Sequence, residues 1–525
     1  MNTKNIPISS LLLGGAAVLT NAISACTGAP ASTDSRQYNI ILIAIDDLND
    51  WVGSFGGNPQ GRTPNMDKLC QQGAVTFQNA YCPGPISGPS RSALLSGFMP
   101  QRSGVYSNSE NMRYSTLVQT YATLPEYFAK NGYVTISRGK IFHKHNTPDG
   151  TDHGQWAYTE WSNTNGGFPL NKERLYSRNQ NIYDGKKEDA VKEKSSSNDG
   201  DGTEFSWGPT TENKENTTDY KTAQWAAAEI AKQHDQPWFL AVGISKPHLP
   251  WYVPQEYFDR HPLETIKIPE HRLDDLDDIL TPEGKKKFAP SADFNWVNSR
   301  EGLWQRAVQA YLASASYADD CVGVILDALE KSPERDNTIV IIFGDHGWHL
   351  GEKLRFRKAT LWQEATRLPL IIRVPGITKE RADCMRMVNL IDLYPTLIDL
   401  CGLPAKPEID GRSIAPLLRN PQKAWDYPNV TILGQGNASV RDENWYLIRY
   451  NDGTEEFYDM TADPYQWTNL TTSKDAKALA AKAKLMKSVP KEFATPIANL
   501  LKKQTEKGEP ALPNANEKRD LSKLK

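Results

Sequence analysis

The sequence predicts an α/β protein with a large, mostly parallel sheet flanked by helices, and a smaller C-terminal subdomain with an antiparallel sheet. Apolar runs rich in β-branched residues recur along most of the chain, as expected of strands buried on both faces. Helical patterns lie between these runs, and that alternation is typical of a parallel sheet. After Pro416 the pattern changes to short strands joined by a turn.

The first apolar runs and the helical patterns between them define the main sheet. We predict strands at Asn39–Ile45, 133–137, Trp238–Ile244, 338–343 and 370–374. Helices are predicted at 124–131, 222–234, 303–331 and 390–401. In a sheet of this kind, functional groups gather beyond the carboxyl ends of the strands.

The C-terminal part contains a predicted hairpin, because an Asn-Asp-Gly turn at 451–453 separates two apolar segments at 445–450 and 455–459. We therefore divide the chain into a main domain at 39–415 and a subdomain at 416–505. A polar stretch at about 178–220 is interpreted as a surface insertion, and the lysine-rich ending at 506–525 as a poorly ordered tail.

The N-terminus has the character of an export signal. Lys4 is followed by an apolar stretch at about 8–19, which is too short to span a bilayer. The string from Ile23 to Cys26 resembles a bacterial lipobox, which would make 1–25 a lipoprotein signal peptide and Cys26 a lipidated residue. Residues 26–38 would be a tether, and the protein would lie in the bacterial envelope, facing the periplasm or the outer-membrane surface. An ordinary secretory signal is the alternative.

Composition excludes some classes of protein. Hydrophobic residues make up 39% of the chain and charged residues 23%, which rules out global disorder. The formal net charge is -3, so a chain-wide basic surface for nucleic acid is excluded. Five cysteines follow Cys26, so at least one stays free, and one or two disulfides are possible.

Two acidic clusters each end an apolar strand. Asp46 and Asp47 follow the first strand, and Asp345 and His346 follow the strand at 338–343. An isolated Asp-Asp pair is usually a cap or a turn. Two acidic clusters that each end an apolar strand, however, indicate an oxygen-rich site for a hard divalent cation such as Ca²⁺.

A serine and an arginine stand at the start of a predicted helix. Ser87 precedes Pro89, which favours the first turn of a helix, and Arg91 lies on the same turn. A helix N-terminus with a fixed cation suits a bound anion, although a plain helix cap would give the same short pattern.

Further cationic groups follow other strands. A strand runs into a turn at Gly139 that carries Lys140 and His143, although a surface lysine would also fit this turn. His248 follows the third strand between two prolines, and Lys358 lies beyond Asp345 and His346.

The string at 85–97, with Ser87, Pro89, Ser90 and Arg91, resembles the sulfatase signature, and the string from Gly132 to His143 resembles the second signature of that family. Ser96 and Arg138 are departures from the usual pattern. His346 stands where many sulfatases have Asn, and it points to the iduronate-2-sulfatase branch, as do the strings around His248 and Lys358.

The resemblance, which covers about 39–470, implies an alkaline-phosphatase-like sandwich and a sulfatase of the formylglycine-dependent type. Ser87 would be oxidised to formylglycine by an anaerobic, Ser-type maturation enzyme, and its gem-diol would attack sulfur. The resemblance also implies that Ca²⁺ is bound by Asp46, Asp47, Asp345, His346 and modified Ser87. Catalytic roles would fall to Ser87 and to five further residues: Arg91, Lys140, His143, His248 and Lys358.

The expected substrate is a sulfated carbohydrate, either a polysaccharide or an oligosaccharide, such as a uronate 2-sulfate, ulvan or carrageenan. Two alternatives remain open at this point: a phosphonate or phosphodiester hydrolase of the same superfamily, and a non-catalytic glycan-binding lipoprotein.

Overall fold

Strand β1 (Asn39–Ile45) lies at the centre of an eight-stranded sheet in the computed structural model, which describes residues 37–143, 158–160, 175–187, 203–506 and 519–525. The other strands of this sheet are β2 (Val75–Phe77), β3 (Val134–Arg138), β4 (Tyr158–Glu160), β5 (Trp238–Ile244), β6 (Thr338–Gly344), β7 (Leu370–Arg373) and β8 (Ala382–Cys384). Their order is β8-β2-β7-β6-β1-β5-β3-β4.

Every strand of this sheet except β7 runs in the same direction. β1 pairs in parallel with both β5 and β6, and β3 continues the parallel set beside β5. β7 is antiparallel to β6 and β2. The predicted mostly parallel sheet is thus confirmed, and the carboxyl ends of β6, β1, β5 and β3 lie side by side at one edge.

Helices cover both faces of the sheet, so every residue of β1 is buried. Ile41, Ile43 and Ile45 pack on one side with helices α1 (Pro64–Gln71), α4 (Thr218–Ile230) and α5 (Leu303–Glu330). Ile40 and Leu42 pack on the other with α2 (Ser87–Ser96), α3 (Leu124–Lys130) and α6 (Leu393–Leu400). Further helices are Pro100–Ser103, Thr116–Thr120, Gln255–Asp259, Ala292–Asn298, Gln363–Thr366, Ala415–Arg419, Ala476–Met486 and Ile497–Glu506.

A second sheet contains part of the segment interpreted as a surface insertion. Its strands are Trp251–Pro254, Ser206–Thr210, Tyr176–Ser177, Ile182–Tyr183 and Lys186–Lys187. Trp207 is 1% exposed and packs against Trp251 and Trp296. The solvated-insertion prediction is therefore wrong for the strand at 206–210, because this strand carries an aromatic side chain into the core; residues 188–202 lie outside the described residues.

The C-terminal sheet is antiparallel, as predicted. Its strands are β9 (Asn429–Ile432), β10 (Ala438–Arg441), β11 (Trp445–Arg449) and β12 (Glu455–Asp459), with the expected hairpin between the last two. The buried carboxylate of Glu456 accepts hydrogen bonds from Trp362 Nε1 at 2.8 Å, from Tyr450 Oη at 2.7 Å and from Tyr458 Oη. The side chain of Glu456 thus joins this sheet to the segment that follows β6.

Two small groups of strands complete the fold. His349–Leu350 pairs with Phe356–Arg357, and Ala80–Tyr81 lies between Arg367–Leu368 and Val388–Asn389. Residues 36–525 form one compact unit. Within the described part of the chain, no helix combines the length and apolar character needed to cross a bilayer. The predicted signal peptide, the lipobox and most of the tether precede residue 37 and lie outside the described residues.

The prediction of a poorly ordered tail at 506–525 is wrong for residues 519–525, while residues 507–518 lie outside the described residues. Residues 519–525 pack against the region of α3, where Arg519 forms an ion pair with Glu126 and Lys525 exchanges backbone hydrogen bonds with residues 120 and 122. The cysteines at 70, 82, 321, 384 and 401 are all buried and free, so the possible disulfides are not formed among them.

Candidate active site

Four neighbouring strands deliver polar residues to the same edge of the main sheet. Asp46 and Asp47 follow β1, Asp345 and His346 follow β6, Lys140 and His143 follow β3, and Lys246 and His248 follow β5. Because these strands are parallel neighbours, their carboxyl ends bring the side chains together. Glycine is needed at the approach of β3 to β5: a Cβ on Gly243 would lie 2.2 Å from the Lys140 carbonyl oxygen, and one on Gly139 would lie 2.0 Å from the Gly243 carbonyl oxygen.

Ser87 is the first residue of α2 and has no solvent-exposed surface. Its Oγ lies 3.2 Å from Asp46 Oδ1 and 3.1 Å from His346 Nε2. The next residue, Gly88, has no side chain, and its backbone N–H donates a hydrogen bond to Asn108 Oδ1 at 2.8 Å. The helix start is thus fixed with the Ser87 hydroxyl inside the polar cluster.

Arg91 crosses the cluster one turn further along α2. Its Nε donates to Asp345 Oδ2 at 2.8 Å, and its second terminal nitrogen lies 3.2 Å from Asp46 Oδ1. The other terminal nitrogen donates to the carbonyl of Lys140 at 2.6 Å. Burial alone would lower the pKa of Arg91, but Asp345 and Asp46 more than offset it, so the pKa is raised and the guanidinium stays charged.

The Asp46 carboxylate is held by cations on both oxygens. Lys140 Nζ donates to its Oδ2 at 2.5 Å, while Oδ1 faces Arg91 and Ser87. Burial would raise the pKa of Asp46, but Lys140, His248, Arg91 and Lys358 together hold it well below its ordinary value. In the same way, burial would raise the pKa of Asp345, and His346 and Arg91 lower it. Both groups are therefore carboxylates at neutral pH.

Asp47 has a left-handed backbone, with φ 64°, and a fully buried side chain. Lys358 Nζ donates to its Oδ1 at 2.7 Å, and His346 Nε2 lies 3.3 Å from the same oxygen. His248 Nε2 lies 3.8 Å from Oδ2, beyond hydrogen-bond distance. Oδ2 is buried and accepts no hydrogen bond. An ionised oxygen in this position is expected to face a cation.

Asp47, Asp345 and His346 form the group among the described residues that could hold a metal ion, with one ligand atom from each lying within 4.8 Å of the others. Two of these ligands are carboxylates, which suit a hard divalent cation. His346 Nδ1 lies 2.9 Å from the Gly347 carbonyl, which can only accept a hydrogen bond, so Nδ1 carries a proton and, in a neutral ring, Nε2 presents a lone pair.

His143 and Lys246 complete the surroundings. Burial, with Lys140 nearby, holds the pKa of His143 well below its ordinary value, so its ring is neutral at pH 7. Lys246 is 1% exposed and donates to the carbonyls of His248 at 3.1 Å and Pro250 at 2.6 Å. Burial lowers the pKa of Lys246 to about 8.

The structure thus brings every residue that the sequence singled out into one cluster. The sequence did not single out Lys246, although this residue lies only two positions before His248. Its role depends on a contact between its side chain and the carbonyls of the turn that follows it, and that contact forms only in the folded protein. Ser90 was named only as part of the signature, and its contact was not predicted: its hydroxyl donates to the Asp345 carbonyl at 2.5 Å. Asp219 was not predicted either. It lies in helix α4, distant in the sequence, and accepts hydrogen bonds from the backbone N–H groups of Ser245 and Lys246, a contact that no local sequence pattern reveals.

A buried set of cations and carboxylates at the end of a sandwiched α/β sheet is the site of a hydrolase that acts on anionic esters. The chain belongs to the sulfatase family, whose model matches residues 38–403, and a C-terminal model of N-sulphoglucosamine sulphohydrolase matches residues 344–492. The fold is accordingly alkaline-phosphatase-like, the enzyme is a sulfuric ester hydrolase, and the family prediction is confirmed.

Named relatives support this assignment. The chain is 36% identical to a sulfatase of Formosa agariphila over 82% of each chain. It is 31% identical to mouse iduronate 2-sulfatase, over 76% of this chain and 74% of the relative. The solved structure of a 2-O GAG sulfatase matches with a TM-score of 0.62 and 23% identity, covering 86% of this chain and 91% of that one. At 23% identity, the similarity to this solved structure concerns the fold alone.

Proposed function

We propose that this sulfatase removes sulfate from a sulfated carbohydrate, using formylglycine formed from Ser87 and a Ca²⁺ ion bound beside it. The observation that carries the proposal is the position of Ser87 Oγ, fully buried between Asp46 and His346 and surrounded by Arg91, Lys140 and Lys358. Relatives named iduronate 2-sulfatase and ulvan-active sulfatase support a glycan substrate, either a polysaccharide or an oligosaccharide.

The residues present fit a hard cation. Asp47 Oδ2 is buried without a hydrogen bond, and His346 Nε2 faces Ser87 Oγ and Asp47 Oδ1. Asp46, Asp47, Asp345 and His346 would hold the ion together with modified Ser87. The three carboxylates are balanced by Arg91, Lys140 and Lys358, so a divalent cation would leave the site positive and attractive to a sulfate ester.

When both groups are present, the hydrated aldehyde supplies a nucleophilic hydroxyl for attack on sulfur and the cation acidifies it. Arg91 and Lys140 stabilise negative charge on the transferring group, because both are fixed before the substrate arrives. His248 and Lys358, which converge on Asp47, are placed to protonate the leaving oxygen. His143 is neutral at pH 7 and would accept the proton of the second hydroxyl of modified residue 87 as the C–O bond to sulfate breaks and sulfate leaves.

The experiment is a panel of substrates with free sulfate as the readout. Purified enzyme is incubated with defined sulfated oligosaccharides, an aryl sulfate and a matched aryl phosphodiester, and the peptide that contains residue 87 is examined by mass spectrometry. We expect sulfate release from at least one oligosaccharide and an aldehyde at residue 87. Faster turnover of the phosphodiester than of any sulfate ester, or full activity with an unmodified Ser87, would overturn the proposal.

We further propose that the enzyme is lipid-anchored in the bacterial envelope through Cys26 and is matured by an anaerobic, Ser-type enzyme. The lipobox-like string before Cys26 and the serine at position 87 support these two points. No nucleic-acid partner is expected, given the acidic net charge of -3.

A further inference from the structure

The turn that follows β1 holds Asp47 in a conformation that is uncommon for a residue with a side chain. Its φ of 64° lies in the left-handed region. Such conformations persist where surrounding contacts enforce them, and they cluster at functional sites. The direction of the Asp47 carboxylate, including the buried Oδ2 that accepts no hydrogen bond, depends on this backbone conformation. The contacts that enforce it therefore bear directly on the cation site.

Tyr311 of helix α5 makes the contact that closes this turn. Its hydroxyl donates to the Asp47 carbonyl at 2.9 Å, because a carbonyl can only accept a hydrogen bond. The same oxygen accepts the backbone N–H of Asn49 at 2.9 Å. On the other side, the Asp47 N–H donates to Asp345 Oδ1 at 3.1 Å. One fully buried hydroxyl thus bridges the two peptide groups that flank Leu48, and both peptide groups of Asp47 are fixed.

Packing sets the position of the Tyr311 ring. Its centre lies 5.8 Å from that of Trp51 with the planes at 90°, and 5.7 Å from that of Trp251 with the planes at 80°. Aromatic pairs favour this edge-to-face arrangement. Trp251 in turn donates its indole N–H to the Pro247 carbonyl at 2.7 Å, beside His248. The tyrosine therefore lies between the turn that carries Asp47 and the turn that carries His248, and its ring is held on two sides.

We infer that Tyr311 is a positioning residue for the cation site, where its hydroxyl sets the backbone of Asp47 so that the carboxylate faces the ion. The inference rests on the proposed function, because it takes the ion to be Ca²⁺ bound beside Ser87. Tyr311 acts through Asp47 rather than on the substrate. Removing a group that orients a metal ligand commonly lowers metal affinity by about 10–100-fold.

The test measures the Kd of Ca²⁺ by calorimetric titration of metal-free protein, together with the melting temperature. Tyr311→Phe removes only the hydroxyl and keeps the ring between its two tryptophans. The control is Tyr317→Phe. Tyr317 lies on the same helix and is equally buried, but its hydroxyl bonds the Thr217 side chain and accepts the backbone N–H of Tyr220 at 3.2 Å, outside the cation site.

A second variant, Asn49→Ala, loosens the same turn without removing the tyrosine. The Asn49 amide accepts the Trp51 N–H at 3.0 Å and donates to the Trp348 carbonyl at 3.3 Å. Its loss should also raise the Kd of Ca²⁺. This variant keeps the inference testable if Tyr311→Phe does not fold.

We expect Tyr311→Phe to raise the Kd of Ca²⁺ by about 10–100-fold. At low Ca²⁺ its kcat for an aryl sulfate should fall with the bound fraction, and saturating Ca²⁺ should restore most of it. Tyr317→Phe should lower the melting temperature but leave the Kd unchanged, because its hydroxyl supports no metal ligand.

A folded Tyr311→Phe variant with the wild-type Kd would overturn the inference and leave the proposed function in place. An equal rise of the Kd in Tyr317→Phe would do the same, because it would show a general effect of destabilising the helix. If Tyr311→Phe does not fold, an unchanged Kd in Asn49→Ala would overturn the inference and a raised Kd would support it. Wild-type protein that binds no Ca²⁺ would overturn both the inference and the proposed cation.

Discussion

Nε2 of His346 lies 3.1 Å from Oγ of Ser87, while Nδ1 of the same ring lies 2.9 Å from the Gly347 carbonyl. The carbonyl keeps a proton on Nδ1, so a neutral ring turns its lone pair toward the serine. The relationship joins the end of β6 to the start of α2, and it makes residue 87 the centre of the first prediction.

Replacing Ser87 should separate catalysis from folding. Ser87→Ala is expected to lower turnover by at least about 10³-fold, because no hydroxyl remains to be oxidised. The melting temperature should change little, since the Ser87 side chain caps no backbone group of its helix and a lost hydrogen bond costs about 1 kcal/mol. Sulfate release and thermal unfolding are the measurements.

Two further variants control the Ser87 experiment. Ser92→Ala, in the same helix, should keep full turnover. Ser87→Cys should regain activity in a host whose maturation enzyme accepts cysteine, and the aldehyde should then be found on the peptide containing residue 87. Rapid turnover by Ser87→Ala would contradict the mechanism.

Removal of divalent cations should lower both activity and stability. Asp46, Asp47 and Asp345 are buried together, and their mutual repulsion is relieved by a bound cation. We expect chelation to abolish sulfate release and Ca²⁺ to restore it, with a stabilisation of about 2.7 kcal/mol when the free ion is a hundredfold above its Kd. Asp47→Asn should lose the Ca²⁺-dependent rise in melting temperature. Full activity of protein shown by elemental analysis to be metal-free would contradict the prediction.

Lys246 is expected to position His248 rather than touch the substrate. Its Nζ holds the carbonyls of His248 and Pro250, so Lys246→Met should let this turn move and lower kcat by about 10–100-fold. The loss should be greater for alkyl sulfates than for aryl sulfates with an acidic leaving group, because only the former need protonation by His248. Lys221→Met, at an exposed site, is the control. An equal loss on both classes of ester would indicate a merely structural role.

Stability should depend on pH through Asp319. Burial raises the pKa of this carboxyl to about 7, although it accepts backbone N–H groups from Asn65 and Met66 at the start of α1. The folded protein therefore binds more protons than the unfolded chain between about pH 4 and pH 7, and the free energy of unfolding falls as pH rises through that window. Asparagine does not titrate and therefore serves as the reference. The melting temperature of the wild type, measured relative to that of Asp319→Asn, should be a few degrees lower at pH 8 than at pH 5. A difference that is the same at both pH values would refute this assignment.

The lipid anchor can be tested in the native host. Wild-type protein should sediment with membranes, and Cys26→Ala should be released or remain unprocessed, because the thiol that accepts the lipid is absent. Cys70→Ala, at a buried position, serves as the control. Wild-type protein found entirely in the soluble fraction would exclude the anchor.

The sequence predicted the centre of the sheet well, because β1, β5 and β6 are continuous apolar runs that end at polar residues. The antiparallel direction of β7 and the burial of Trp207 were not predictable, because both depend on partners far away in the chain. In the site, residues directly after strands were found from sequence. Lys246 was not found from sequence, because the backbone carbonyls that it contacts come close to its side chain only in the folded protein.

The carboxylate of Glu456 has a consequence for how this protein could be divided. It belongs to the C-terminal sheet, yet its hydrogen-bond donors include Trp362 from the segment after β6. Cutting the chain near residue 415 would leave the indole N–H of Trp362 without its buried acceptor. The two regions are therefore not interchangeable units: a C-terminal segment grafted from a relative would be accepted only if it offered an acceptor at position 456 to the residue at position 362.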